Sequence, residues 1–222
     1  MGGGGSGGSV TVARHARVML FERRCPACGR RCRFVCEACW SCLQPDPTTG
    51  PGLFVYDHVC RELILAAKNR GRRDLLRPLG RALADHLATG GIEAPVAPGD
   101  PATSPWVVTW VPCSREGRRA RGYDQGRVLA RVVASRLGLV CHRTLWRADE
   151  EPQTGRDRRQ RLAGPTLDVR RAPVPRRLIL IDDVTTTGSS LRAASERLRA
   201  AGALDVVTAA LAAVTQPRDR VL

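Results

Sequence analysis

The chain has 222 residues, enough for one sizeable core and a small accessory module. Its formal charge of +15 favours anionic ligands such as phosphates, pyrophosphate or nucleic acid. No apolar run is long enough to cross a bilayer, so we predict a soluble protein without membrane insertion. Residues 1–20 begin with glycine and serine and are predicted to be a flexible leader rather than a secretory signal.

Six cysteines lie within eighteen residues and define a predicted module over residues 21–50. Repeated Cys-x-x-Cys pairs are typical of structural zinc sites in a reduced compartment, which predicts a cytoplasmic protein. A disulfide framework is the alternative, but no secretory signal supports it, and a thioredoxin-like redox pair would need a βαβ context. The best set of ligands is Cys25, Cys28, Cys36 and Cys39, with Cys42 replacing Cys36 if the second pair is Cys39 and Cys42.

Residues 51–216 are predicted to form the main domain, followed by a tail at 217–222. Apolar residues recur at helical spacing from Val59 to Leu87, with a basic turn from Lys68 to Arg73 between two helical stretches. That turn is either a solvated connection or a phosphate contact, and its charge fits both. Residues 88–105, rich in glycine, proline and alanine, are predicted to be a surface connection.

A buried strand is predicted from Trp106 to Val111, and a basic segment follows its carboxyl end. If the sheet is parallel, arginines 118, 119 and 121 reach the edge that carries the loop described next. Their guanidinium groups would suit a pyrophosphate there, whereas the simpler interpretation is an exposed basic loop. An amphipathic helix is then predicted to end at Gly138.

Two further segments follow that helix. Val140 to Trp146 is predicted to be another strand. Residues 150–164 are polar and rich in arginine, which suits either a mobile lid or disorder.

The most informative stretch runs from Leu178 to Leu191. Four large apolar residues, 178–181, predict a strand buried on both faces of a parallel sheet, which stops at Asp182. A helix is predicted from Leu191 to Gly202, and Val206 to Val214 is predicted to be the next strand. The polar residues between strand and helix therefore lie where open α/β sheets bind ligands.

The residue types of this loop suit a ribose that carries a 5′-phosphate. Hydroxyls and backbone N–H groups at a helix N-terminus make a phosphate site, and Asp182 and Asp183 would accept hydrogen bonds from ribose hydroxyls. Helix capping alone is the plainer interpretation, but capping needs only one such residue. The residues predicted to hold the phosphate are Thr185, Thr186, Thr187, Gly188, Ser189 and Ser190.

This stretch resembles the phosphoribosyl pyrophosphate loop of type I phosphoribosyltransferases, with Asp182-Asp183-Val184 and Thr186-Thr187-Gly188 matching the pattern. A Walker A loop is excluded because its lysine is missing. From Cys25 to Val214, the order of motifs resembles the ComF family of bacterial proteins linked to competence and DNA uptake. The resemblance implies an α/β fold of the type I phosphoribosyltransferase kind. Its sheet would be mostly parallel and flanked by helices, with a small N-terminal cysteine-rich zinc module.

The resemblance also implies ligands and the residues that hold them. Phosphoribosyl pyrophosphate with Mg²⁺ would bind along Asp182 to Ser190. The residues implied to contact the pyrophosphate are Ser114, Arg115, Arg118, Arg121, Lys68 and Arg72. The chain departs from the family at Asp124 and Arg161, where asparagine is expected, and the segment after Gln153 is short.

Two functions are consistent with these patterns. As an enzyme, the chain would transfer the phosphoribosyl group to a nucleophile, predicted to be a nitrogen, although no general base is evident and the catalytic residue stays unassigned. As a binding module, it would keep the same fold and contact single-stranded DNA or a competence helicase. Neither the acceptor nor the oligomeric state follows from these residues.

Overall fold

The computed structural model describes residues 23–43, 45, 50–89, 106–147, 166–169 and 173–214. The predicted leader, the polar segment at 150–164, the tail, Gln153 and Arg161 lie outside the described residues. Among the helices of the described ranges, none is both long enough and apolar enough to cross a membrane.

Helices and strands are interspersed along the described residues. The helices are α1 (Glu37–Ser41), α2 (His58–Asn69), α3 (Leu76–Thr89), α4 (Arg115–Arg121), α5 (Gln125–Leu137) and α6 (Ser189–Ala200). The strands are β1 (Gly52–Val55), β2 (Trp106–Trp110), β3 (Val140–Cys141), β4 (Trp146–Arg147), β5 (Leu167–Asp168), β6 (Arg177–Thr185) and β7 (Asp205–Ala213). A short 3₁₀ turn, Arg73–Leu75, joins α2 to α3.

Five strands form one sheet in the order β1-β7-β6-β2-β3, and every pairing in it is parallel. Strands β4 and β5 make a separate antiparallel pair. The predicted α/β class with a mostly parallel sheet is therefore confirmed. Because β2 and β6 are adjacent and parallel, the segments that follow their carboxyl ends meet at one edge, as the sequence predicted.

Strand β6 is buried on both faces because its side chains alternate between two cores. Ile179 and Ile181 pack on the face that α2, α3 and α5 cover. Leu178 and Leu180 pack on the opposite face, against α6. This central position fixes the end of β6 more firmly than an edge strand would allow.

Two predicted boundaries were wrong. Strand β6 does not stop at Asp182 but continues to Thr185, because Asp182, Val184 and Thr185 still pair with β7. The stretch predicted as one strand over 140–146 forms two short strands in different sheets. The basic segment after β2, for which an exposed loop was the simpler interpretation, forms helix α4 between the Ser114 cap and Gly122, whose φ is 74°.

Candidate functional site

The turn after β6 has the form of an anion site at a helix N-terminus. Gly188, with a φ of 72°, occupies the N-cap position of the twelve-residue helix α6. The Thr187 hydroxyl donates to Ser189 Oγ at 3.1 Å and accepts from the Ser189 N–H at 3.4 Å. Thr185 is buried, whereas Thr186 and Thr187 are exposed to solvent. The hydroxyl groups predicted to bind phosphate therefore lie together around the first turn of α6.

Asp182 and Asp183 lie within the last part of β6 and differ in their surroundings. Asp183 Oδ2 forms an ion pair with Lys68 Nζ at 3.3 Å, and its other oxygen accepts from the Val184 N–H at 2.8 Å. Asp182 Oδ1 accepts from the Asp183 N–H at 2.8 Å. Burial, and then the negative charge of Asp183, raise the pKa of Asp182 well above its ordinary value.

The segment after β2 supplies arginines at the same edge of the sheet as this pair. Ser114 Oγ caps α4 by accepting from the Gly117 N–H at 3.1 Å. Arg115 is exposed, and Arg118 is partly buried. The Arg121 guanidinium lies over Gly117, where a Cβ would come within 2.5 Å of Arg121 Nη2. Arg121 Nε is buried and has no hydrogen-bond partner among the described residues. Gly117 was not singled out in the sequence, since its importance depends on this contact.

The turn between α2 and α3 lies beside the same edge. Its Lys68 faces Asp183, as described above. The Tyr123 hydroxyl donates to the Ala67 carbonyl, and the Arg73 guanidinium lies 5.3 Å from the centre of the Tyr123 ring. Arg72, predicted to contact pyrophosphate, directs its guanidinium to backbone carbonyls of the cysteine module. A contact between Arg72 and the pyrophosphate stays a prediction, whereas the contacts in the structure are with the cysteine module.

The cysteine module brings four sulfurs together. The Sγ atoms of Cys25, Cys28, Cys36 and Cys39 all lie within 4.8 Å of one another. Thiolates bound to zinc at about 2.3 Å would have sulfur–sulfur edges of about 3.8 Å, so this set could hold a zinc ion. Burial raises the pKa of the Cys25 thiol, but the backbone hydrogen bonds from Cys36, Ala27 and Cys28 together outweigh burial and lower the pKa to about 6. Cys42 lies outside the four-sulfur group and donates to the Ala38 carbonyl at 3.2 Å.

A basic groove of about 1110 Å³ lies between α3 and α5. Seven arginines and two aspartates line it. Arg73, Arg77 and Arg81 follow one another at four-residue spacing, and Arg127 and Arg131 do the same on α5. Both aspartates are already engaged, since Asp74 pairs with Arg23 and Arg72, and Asp124 accepts from Trp110 Nε1 at 3.1 Å. The sequence did not predict this groove, because its two rows of arginines come from segments that are far apart in the chain.

Comparison with known proteins was informative at the level of sequence. No family model matches the chain. It is 26% identical over 195 residues to "Competence protein F" of Haemophilus influenzae, covering 82% of this chain and 81% of that protein. The resemblance to the ComF family is confirmed. The match covers most of both proteins, and this chain also carries the four clustered cysteines that the sequence predicted.

The solved structures that are similar to parts of this chain include two enzymes. The "allosteric regulatory enzyme of purine biosynthesis" is 20% identical with a TM-score of 0.44, and the match covers 67% of this chain. This chain spans only 30% of that enzyme's length. An adenine phosphoribosyltransferase is 18% identical with a TM-score of 0.42, and the match covers 66% of this chain and 74% of the enzyme.

Proposed function

We propose that this ComF-like chain binds phosphoribosyl pyrophosphate with Mg²⁺ at the carboxyl edge of its sheet. The observation that carries the proposal is the order of groups along that edge. An acid pair on β6 is followed by a hydroxyl-rich turn at the N-terminus of α6, and the arginines of α4 follow the neighbouring strand β2. These three groups correspond to the ribose, the 5′-phosphate and the pyrophosphate of one ligand.

The 5′-phosphate would bind at the turn before α6. The backbone N–H groups of the first turn and the helix dipole favour an anion there. The hydroxyls of Thr186 and Thr187 are exposed and can donate to phosphate oxygens. Gly188 keeps the turn open because its positive φ disfavours a larger residue. The other proposed contacts are Thr185, Ser189 and Ser190.

The ribose and the pyrophosphate would bind on either side of Lys68. Asp182 and Asp183 would accept hydrogen bonds from ribose hydroxyls. The Lys68 ammonium carries three N–H donors, so it can contact a phosphate while it still pairs with Asp183. The buried, unpaired Nε of Arg121 supports an anionic ligand beside α4. The proposed set for the pyrophosphate is Ser114, Arg115, Arg118, Arg121 and Lys68; Arg72 is left out because its guanidinium binds backbone carbonyls of the cysteine module.

The donor chemistry of the acid pair fits Mg²⁺, which prefers carboxylate and phosphate oxygens. Asp182 and Asp183 would hold it together with the ligand's phosphates, where it would neutralise charge on the pyrophosphate. If the chain is an enzyme, a nitrogen nucleophile would bond to C1 of the ribose. The C1–oxygen bond would break, and pyrophosphate would leave with the electron pair. The arginines of α4 would stabilise that leaving charge.

The test is calorimetric titration of phosphoribosyl pyrophosphate with Mg²⁺ into the full chain. Asp182→Asn combined with Asp183→Asn should weaken binding by at least about 100-fold, because each charge-assisted hydrogen bond contributes about 1.5 kcal/mol or more. Asp85→Asn combined with Asp205→Asn makes the same charge change at exposed ion pairs and should leave binding intact. An intact chain that does not bind the ligand would refute the proposal.

A second candidate function is binding of single-stranded DNA, which the groove between α3 and α5 favours. Within the described part of the chain, no carboxylate pairs with Arg77, Arg81 or Arg131. Rows of arginines at four-residue spacing repeat about every 6 Å along a helix and can follow a phosphate backbone. The similarity to a competence protein agrees with a role in competence. We propose that this role would be DNA uptake, in the cytoplasm and beside a helicase partner.

This second function is tested by fluorescence anisotropy with a labelled oligothymidylate of about 15 nucleotides. Replacing Arg77, Arg81 and Arg131 with Gln should weaken binding about 100-fold at 0.1 M salt, since each lost contact lowers the salt slope by about 0.7. Replacing Arg61, Arg177 and Arg197 with Gln removes equal charge outside the groove. Equal losses in both triple variants would show nonspecific charge binding and refute a groove site.

A further inference from the structure

The turn from Lys68 to Asp74 contacts both the cysteine module and the acid pair. At one end, Lys68 Nζ pairs with Asp183 Oδ2 at 3.3 Å. At the other end, Arg72 and Asp74 contact the segment around the cysteines. Only three residues separate Lys68 from Arg72. A displacement of the module therefore acts close to the residue that neutralises Asp183.

Arg72 makes the closest connection to the module. Its Nη1 donates to the Arg24 carbonyl at 2.8 Å, and its Nη2 lies 3.3 Å from the Arg33 carbonyl and 3.4 Å from that of Phe34. Its Nε and Nη2 also bind the two oxygens of Asp74, each at 3.1 Å. The Arg72 side chain is only 18% exposed. Such a bidentate, largely buried guanidinium is fixed in orientation.

The carbonyls that Arg72 binds belong to the parts of the module that a metal would organise. Arg24 directly precedes Cys25, and Phe34 lies two residues before Cys36. Both cysteines belong to the four-sulfur group. Asp74 strengthens the connection, because it also pairs with Arg23 at 2.7 Å. Hydrogen bonds from Arg72 and Arg23 outweigh the effect of burial and lower the pKa of Asp74, so it stays ionised.

The turn itself is held rigidly enough to transmit this restraint. The backbone N–H groups of Arg70 and Arg72 both donate to the Ala66 carbonyl at 3.1 Å. The next carbonyl, that of Ala67, accepts from the Tyr123 hydroxyl. Lys68 and the start of α5 are thus held by the same short backbone segment. The turn therefore connects the cysteine module to both Lys68 and the start of α5, which lie beside the proposed pyrophosphate site.

We propose that Arg72 is a positioning residue through which a metal on the cysteine module controls the ligand affinity of the acid pair. The inference deepens the proposed function and rests on it. With the metal bound, the carbonyls of Arg24, Arg33 and Phe34 hold Arg72, and the turn keeps Lys68 against Asp183. When the metal is lost, these three carbonyls are no longer held in one arrangement and no longer fix Arg72. The turn then does not keep Lys68 against Asp183, and Lys68 no longer neutralises the acid pair.

Hydrogen exchange tests the connection without any phosphoribosyl ligand. The full chain is compared with zinc bound and after chelation, and α3 and α5 serve as internal references for an intact core. Chelation should speed exchange at residues 66–74 and 182–188 by about 10-fold, within the range usual for coupled sites. Arg72→Ala with zinc bound should give the same increase. Unchanged exchange at 182–188 in both cases would overturn the inference.

Ligand affinity then distinguishes positioning from direct contact. Calorimetry with phosphoribosyl pyrophosphate and Mg²⁺ should show about 10-fold weaker binding for Arg72→Ala, and chelation of that variant should cause no further loss. If Arg72 contacts the ligand directly, the two effects add, and the inference fails. Arg70→Ala is the matched control, because Arg70 lies in the same turn but pairs with Glu62 at 2.8 Å.

The two parts of the proposal can fail separately. If the intact chain binds no phosphoribosyl pyrophosphate, the proposed function is wrong, and hydrogen exchange still decides whether the module restrains the acid pair. If the ligand binds but Arg70→Ala weakens it as much as Arg72→Ala, the specific role of Arg72 is overturned.

Discussion

The cysteine module and the carboxyl edge of the sheet are stabilised in different ways. Among residues 23–43 only Cys25, Cys39 and Leu43 are buried, and two of these three belong to the four-sulfur group. The loop after β6 begins at a strand that packs against two cores and pairs with a neighbour on each side. The geometry of the module should therefore depend on a metal, whereas that of the loop should depend on the sheet. The turn from Lys68 to Asp74 joins the two.

The largest effect is expected when the module loses a ligand. Cys39→Ser should weaken zinc binding by more than about 100-fold, since even changes to residues that only support a ligand cost about 10- to 100-fold. Cys42→Ser should retain zinc, because its sulfur lies outside the group. Metal content after gel filtration measures both. Equal zinc loss in the two variants would assign Cys42 to the site and contradict the proposed set.

The corresponding change on the sheet side is Gly188→Ala. Its φ of 72° would impose about 1–2 kcal/mol of strain on an L-residue, and the strained turn holds the proposed phosphate contacts. Gly138→Ala, at a φ of 66° in the C-cap of α5, should cost similar stability without affecting the ligand. Urea unfolding and calorimetry of both variants separate the two effects. Ligand binding that survives in Gly188→Ala would argue against the phosphate site.

The sequence predicted features that depend on residues close together in the chain. The apolar run at 178–181 and the polar run after it predicted the central strand and the loop, and the cysteine spacing predicted the ligand set that the structure brings together. Helix α4 was missed because its sequence has no apolar period, and its limits depend on the Ser114 cap and on Gly122.

Sequence patterns could not predict contacts between residues that are far apart in the chain. Lys68 and Asp183 are 115 residues apart in the chain, and their ion pair depends on how α2 packs on the sheet. The family resemblance implied that Lys68 and Arg72 both contact the pyrophosphate. The structure directs their side chains to different partners, which a linear pattern cannot specify.

The ionisation of Asp182 gives a pH-dependent test on the sheet side. The pKa of Asp182 is raised in the folded chain, so folding favours the protonated carboxyl. This contribution to stability is fully present at low pH and is lost as the pH rises through the folded-state pKa. Asp182→Asn keeps an oxygen for the Asp183 N–H and removes this penalty. The variant should unfold at a higher temperature than the parent at neutral pH, and the difference should disappear near pH 4. Thermal unfolding as a function of pH measures this, and a variant less stable at neutral pH would contradict the raised pKa.

The smallest effect is expected at Asp124, where the resemblance predicted asparagine. One oxygen of Asp124 accepts from the Arg127 N–H at 3.2 Å and caps α5, and the other accepts from Trp110 Nε1 at 3.1 Å. Asparagine has only one acceptor oxygen, so Asp124→Asn can keep one of these two hydrogen bonds and must lose the other. The free energy of unfolding should fall by about 1 kcal/mol, the usual value of one such hydrogen bond. Urea unfolding measures this change, and Asp85→Asn, at an exposed pair, provides the control. A loss several times larger would mean that the carboxylate charge is needed beside the groove arginines, and that Asp124 sets the groove's electrostatics as well as the start of α5.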